Sequence, residues 1–371
     1  MAGTAGPGTG RGIVNPVPGG EAGRIHGWDL LRGVCAITVA FYHLSYWLGL
    51  AELPALGTYG VYLFFVLSGA SLAYVYPADK VRSFGDVGRF LATRWLRLAP
   101  LYLLLCVVFI AMLAMRNGVL ANHLGLRLLL NASFGFGVYD PAMWAILIGG
   151  WSLGIEFVYY LCFPLLARVL PNRALAAALL LILVIVQFGW IQGTVGSDGW
   201  TAAVADYHQA PAFAAYFFGG CLLGHWQRKA PPAWPEPAGW LAAAAWVGLL
   251  LLLMPRNAGD ELLGLRGMAL FLACFAAVHV SGRARLGAAT ARLATWFGDV
   301  TYGTYLLHPM LFFGTAWFVA LPLTGSEPQA WSTPARWLTL VVVIALATLL
   351  AGFSERRFER PLRRWSRKRL A

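Results

Sequence analysis

A helix needs about 17–25 predominantly apolar residues to cross a bilayer. Ten segments of this chain reach that length or come close to it: roughly 30–50, 58–76, 97–115, 149–169, 174–192, 212–227, 238–254, 262–281, 299–321 and 336–354. In hydrocarbon every backbone N–H and C=O must find a partner within the protein, so segments of this kind fold as helices. The expected fold is therefore all-α: a polytopic integral membrane protein, a bundle of about ten transmembrane helices. Composition agrees, with 59% hydrophobic and 12% charged residues over 371 positions, against about a quarter charged in soluble domains. A further apolar patch at 124–138 is broken by Asn131, Ser133, Gly135 and Gly137. It reads as a re-entrant or interfacial piece of a loop, not as an eleventh span.

Basic residues set the orientation. With ten spans and both termini cytoplasmic, 23 of the 28 Lys and Arg residues fall on the cytoplasmic side, and only Arg116, Arg127, Arg256, Arg266 and Arg336 fall outside. That is the bias the positive-inside rule requires, and an eleventh span would break it. The formal charge of +12 is thus mostly topology and gives no reason to expect nucleic acid. The run Arg363 to Arg369 is expected to lie against anionic headgroups. Three regions follow: a disordered tail over 1–23, rich in Gly and Pro; a membrane domain over 24–361; and a basic cytoplasmic tail over 362–371. No cleavable signal precedes the first span, which is expected to act as the insertion signal. Cys35, Cys106, Cys162, Cys221 and Cys274 lie in apolar spans at no metal-ligand spacing. They read as small buried hydrophobes, with no metal site.

Ionisable groups at membrane depth mark function by default. Glu156 is the one carboxylate well inside a span, while Asp29, Asp299, Glu355 and Glu359 stand at span ends. Among the seven histidines, His43 and His308 are the two at depth. At about 1.5 Å per residue, His43 lies on the order of 20 Å from the cytoplasmic start of its helix and His308 about 14 Å. An imidazole held by a carboxylate from a neighbouring helix suits a general base, because the carboxylate fixes the tautomer and stabilises the imidazolium. Glu156 is one candidate partner; the competing reading is two separate polar residues satisfied by Ser, Thr or backbone groups. Arg94 and Arg97, on one helix face ahead of Pro100, read either as positive-inside anchors or as a two-armed grip on a phosphate. Arg32, three residues after Asp29, allows both readings and a third, an Asp29–Arg32 pair.

Six landmarks in order carry a resemblance. They are Asp29-x-Leu31-Arg32-Gly33 followed by His43, Gly60-Val61-Tyr62-Leu63-Phe64-Phe65-Val66-Leu67-Ser68-Gly69, Arg94-x-x-Arg97-x-x-Pro100, Trp151-Ser152-Leu153 with Glu156, Tyr302-Gly303-Thr304-Tyr305-Leu306-Leu307-His308-Pro309, and Glu359-Arg360-Pro361. Together they make the chain similar to the acyltransferase 3 family, integral-membrane acyltransferases that use acyl-CoA and modify surface sugars and some small molecules. The resemblance implies His43 as catalytic base and Arg94 and Arg97 at the acyl-CoA. No permanently bound cofactor is implied; acyl-CoA, acetyl-CoA first, is the donor substrate. The implied acceptor is a hydroxyl of a surface or lipid-linked carbohydrate, reached directly or through a separate extracytoplasmic partner. The implied location is the bacterial inner membrane.

Within that frame Ser68, Ser152 or Tyr305 could donate to a developing oxyanion. Gly33, Gly60 and Gly69 read first as close helix approach, and Trp151 first as an interfacial anchor and second as a stacking surface for a sugar. His308 and Glu359 stay between substrate and structural roles. The alternative class is a proton-coupled exporter of a glycan or lipid precursor, since a buried histidine and glutamate also build proton relays; no duplicated halves support it.

Overall fold

The structure, a computed structural model, describes residues 23–118, 122–230 and 232–370. The expectation of a disordered tail falls, over residues 1–22, outside the described residues. In chain order the main helices are α1 (His26–Trp47), α2 (Pro54–Val75), α3 (Phe84–Asn117), α4 (Leu124–Ser133), α5 (Gly150–Val169), α6 (Arg173–Gly193), α7 (Val195–Tyr207), α8 (Ala214–Gln227), α9 (Glu236–Leu252), α10 (Gly264–Arg283), α11 (Ala288–Thr315), α12 (Thr333–Ser354) and α13 (Arg360–Leu370). No strand occurs among the described residues. The protein is an all-α polytopic membrane protein, and each of the ten expected segments coincides with a helix. Seven helices are long and apolar enough to cross a membrane by themselves. The other three fall short for visible reasons: α1 carries Asp29 and Arg32, α8 has 14 residues and α9 has 17.

The 124–138 patch does not form a span. It folds as α4 and two single-turn helices, Phe136–Tyr139 and Pro141–Trp144. Asn131 holds this piece to the bundle: its carbonyl oxygen accepts from Tyr102 Oη at 2.5 Å and Ile146 N at 3.1 Å, and its amide donates to the Arg127 and Trp144 carbonyls, both at 2.8 Å. All four of its hydrogen-bonding positions are filled, as a fully buried amide requires.

Helix ends were the least legible part of the sequence. α3 starts at Phe84, more than three turns before the apolar segment at 97, behind a capping box between Ser83 and Asp86. α11 starts at Ala288, eleven residues before the expected start at 299. Both run on past the apolar slab because polar helix formers extend a hydrogen-bond ladder that is already nucleated.

α2 is the centre of the bundle, and α8 packs along it almost backbone to backbone. A Cβ at Gly69 would stand 2.0 Å from the Phe217 carbonyl oxygen, one at Gly220 2.1 Å from that of Val66, and one at Gly224 2.0 Å from that of Ala70. The close-approach reading of Gly69 therefore holds, and the partner glycines lie on α8. Gly33 does the same for α1 and α11, facing the Phe297 side chain.

Most of the basic stretch expected over 362–371 lies in helix α13, which packs on α3. A π-helical turn at Glu355–Glu359 joins it to α12. Arg24 bonds Asp29 and Asp299, Arg360 bonds Asp299 at 2.8 Å and Glu355 at 3.3 Å, and Arg363 bonds Glu355. The start of α1 and the start of α13 are thus tied to α11 on one face. Arg363 points inward to this network and not to headgroups, because two buried carboxylates, Glu355 and Glu359, need cations. Asp299→Ala leaves Arg24 and Arg360 short of an acceptor. It should cost about 1–3 kcal/mol and speed tryptic release of α13, read by limited proteolysis.

Candidate active site

α1 and α11 lie side by side, and their two deep histidines meet. His43 Nδ1 and His308 Nε2 are 3.0 Å apart, so the partner of His43 is His308 and not Glu156. The two are therefore at one depth, contrary to the offset expected from span boundaries; α11 simply begins further out. His308 Nδ1 faces the Thr304 carbonyl at 3.2 Å. A carbonyl only accepts, so Nδ1 of His308 carries its hydrogen and Nε2 is the lone-pair nitrogen. His43 must then donate from Nδ1, which leaves its Nε2 as a free lone pair. Trp47 stacks on the His43 ring at 5.1 Å and 10°, and Phe312 and Phe313 pack behind Trp47. His308 is 1% exposed, whereas His43 keeps partial access. The arrangement suits a fixed, neutral base with one open nitrogen.

Toward the face that holds the start of α1 and helix α13, Arg94 and Arg97 project from α3. Arg97 sits deep among the protein's atoms, within electrostatic reach of Arg94, Arg363 and Arg32, yet its side chain is exposed. A residue both deep and exposed lines a crevice. Among the described residues Arg97 has no ion pair or hydrogen bond, and the buried Nε of Arg94 has no partner. Arg94 otherwise has the Tyr76 ring at 5.4 Å and a long contact to its hydroxyl at 3.4 Å. Guanidinium donors without an ion pair in a crevice can take an anionic acceptor.

Arg32 differs. It bonds Asp29 at 2.8 Å, the Leu67 carbonyl at 3.3 Å and Ser71 Oγ. Its fork is committed to the protein, and the Asp29–Arg32 pair is the reading the geometry bears out. Asp29, 5% exposed, is held by Arg24 and Arg32 as part of the end-tying network. Glu359 also belongs there, accepting from Ser354 Oγ at 3.0 Å.

Glu156 accepts from Ser68 Oγ at 2.6 Å and Tyr160 Oη at 2.5 Å through the same oxygen. The Ser68 proton is thereby committed and is not free for an oxyanion. Ser152 Oγ donates to the Gly149 carbonyl at 2.9 Å, and Tyr305 Oη lies 2.9 Å from that carbonyl and 3.0 Å from Ser152 Oγ. Either hydroxyl must leave the Gly149 carbonyl before it can serve an oxyanion. Trp151, partly exposed, stacks on His208 at 3.9 Å and packs on Phe213. Cys162 is exposed, the exception to the expectation of five buried thiols.

Along α11, Tyr305, His308 and Phe312 recur at steps of three and four and lie on one face, with Tyr302 one turn earlier and offset from them around the helix. Tyr302 Oη donates to the Leu98 carbonyl at 2.6 Å, beside the arginines on α3. The six residues from Tyr302 to His308 separate the arginine level from the histidine level by about 9 Å. Trp47 and Tyr160 were not singled out in the sequence, since aromatic residues are common in apolar spans. The i, i+4 spacing of His43 to Trp47 and of Glu156 to Tyr160 is the signal that would have found them.

Residues 25–353 match the acyltransferase domain family Acyl_transf_3. The match stops short of Glu359-Arg360-Pro361, so the end-tying network lies partly beyond it. No curated protein and no solved structure matches the chain. With nearly its whole length covered by one family, the chain belongs to the acyltransferase 3 family and is a membrane acyltransferase.

Proposed function

We propose that this acyltransferase moves an acyl group, acetyl by preference, from acyl-CoA to a hydroxyl of a surface or lipid-linked carbohydrate, with His43 as general base. The observation that carries the donor half is a pair of arginines without an ion pair among the described residues, Arg94 and Arg97, with the buried Nε of Arg94 unpartnered, in a crevice on the basic face. In this reading that face is cytoplasmic, both chain ends lie on it, and the membrane is the bacterial inner membrane. The CoA phosphates lie on the two guanidiniums and the pantetheine arm runs up the α11 face to the histidine pair.

At that level His43 Nε2 takes the proton from the acceptor hydroxyl as the oxygen attacks the thioester carbonyl. The tetrahedral intermediate collapses by breaking the C–S bond, and the CoA sulfur leaves with the proton from Nε2. His308 holds the reactive tautomer by accepting from Nδ1. Glu156 is outside hydrogen-bonding contact with the base in this structure; it holds Ser68 and Tyr160 in the wall between the two levels. Direct transfer needs no second protein, and a separate extracytoplasmic acyl carrier remains the variant form of the same proposal. Group transfer is favoured over proton-coupled export by the family match.

The test uses membranes carrying the protein, radiolabelled acetyl-CoA and an extract of lipid-linked and surface glycans, with CoA release and label incorporation followed together. Binding is read separately from thermal protection by CoA. Arg94→Ala and Arg97→Ala should each weaken CoA binding by about ten- to a hundredfold, because a charge-assisted hydrogen bond is worth about 1.5–3 kcal/mol. Unchanged protection in both variants would remove the donor site from this crevice.

A further inference from the structure

Two adjoining open hollows lie between α11 and α12 on the face with the start of α1 and helix α13. They have volumes of about 340 Å³ and 200 Å³ and share Trp296, Gly352 and Arg356. The missing side chain at Gly352 opens the slot: a Cβ there would stand 3.6 Å from Val300 Cγ1 and 3.8 Å from Trp296 Nε1. Leu349 and Phe353, 65% and 63% exposed, continue the apolar surface outward to where lipid would lie. The π-helical turn at Glu355–Glu359 turns Glu355 and Glu359 inward and leaves Arg356 and Arg357 outside.

The polar groups of this groove are unevenly satisfied. Its acids, Asp299 and Glu355, are already held by Arg24, Arg360 and Arg363. Its other cations, Arg292, Arg356 and Arg357, make no ion pair or side-chain hydrogen bond among the described residues, and neither does the Trp296 indole N–H. Uncompensated guanidiniums over an apolar slot at the end of membrane helices match one ligand chemistry. A phosphodiester suits the guanidinium forks and the indole donor, and an acyl chain suits the slot.

We propose that the groove between α11 and α12 binds one anionic phospholipid of the surrounding bilayer. Its phosphate lies among Arg292, Arg356 and Trp296 Nε1, and one acyl chain runs over Gly352 and Leu349. Free phosphate lacks the apolar half and is not the intended ligand. The site is separate from the arginine crevice on α3 and stands whether or not the donor reading does.

The test is a thermal-shift titration of the purified protein in detergent with short-chain phosphatidylglycerol, phosphatidylcholine or inorganic phosphate. Phosphatidylglycerol should raise the melting temperature saturably, and the other two should not. Arg356→Gln/Arg357→Gln should raise the apparent Kd by about tenfold or more, the size of one lost charge-assisted hydrogen bond. Gly352→Leu, which fills the slot, should do the same without removing charge. Arg364→Gln/Arg369→Gln, two exposed cations elsewhere on the same face, should leave the titration unchanged. Equal responses to phosphatidylglycerol and phosphatidylcholine, a full response to inorganic phosphate, or equal losses in the Arg356/Arg357 and Arg364/Arg369 pairs would overturn the proposal.

Discussion

His43→Ala and His43→Gln should both lower acyl transfer by about 10²- to 10⁴-fold, the range of a lost general base, while the protein still purifies and still binds CoA. The free Nε2 of His43 is the one imidazole nitrogen of the pair without a partner, since Nδ1 faces His308 and both nitrogens of His308 are engaged. Glutamine keeps much of the side chain's volume between Trp47 and His308 but has no basic nitrogen, so it separates loss of chemistry from loss of packing. His308→Ala should act through His43, lowering the rate less and leaving CoA protection intact. The measurement is label incorporation in membranes, with thermal protection by CoA as the control. Activity within threefold of wild type in both His43 variants would remove His43 from the chemistry.

Gly220→Val should have the largest effect on folding. Its Cβ would stand 2.1 Å from the Val66 carbonyl oxygen, a backbone atom with no rotamer to yield. Relief requires α8 to move off α2 along the most buried seam of the bundle. Overpacking against side chains typically costs about 1–3 kcal/mol, and a backbone wall with two more glycine contacts beside it should exceed that range. Loss of the monodisperse peak in size-exclusion chromatography is the expected readout. Gly248→Val on α9, with nothing within 4 Å of its Cβ, is the control and should elute as wild type. Normal elution of Gly220→Val would mean that the α2–α8 seam is looser than its geometry.

Much of this fold was legible because hydrocarbon makes a harsh solvent. Every expected span became a helix, and Asn131 with its neighbouring glycines and serine correctly kept 124–138 from being one. Helix ends were not legible, because α3 and α11 continue into polar sequence where hydropathy carries no signal. That error displaced the estimated depth of His308 and hid its contact with His43. For Arg94, Arg97 and Arg32 the sequence offered the same two readings, and only the partners separate them: Arg32 spends its donors on Asp29, Ser71 and Leu67, while Arg97 keeps its donors and Arg94 gives up only a long contact to the Tyr76 hydroxyl. The residue types at the candidate site were readable; which of them touch was not, since contact between helices depends on rotation and register.

The chain of hydrogen bonds from Thr304 through His308 to His43 ends on a neutral carbonyl, and among the described residues no carboxylate bonds either imidazole. An imidazolium formed there would be a desolvated cation without a counterion, which is costly to hold. In the proposed mechanism the proton taken from the acceptor must therefore pass on to the departing sulfur within the same encounter, so Nε2 has to face both substrates at once. In kinetic terms this requires a ternary complex: double-reciprocal plots at several acceptor concentrations should intersect, and CoA release should stall when the acceptor is withheld.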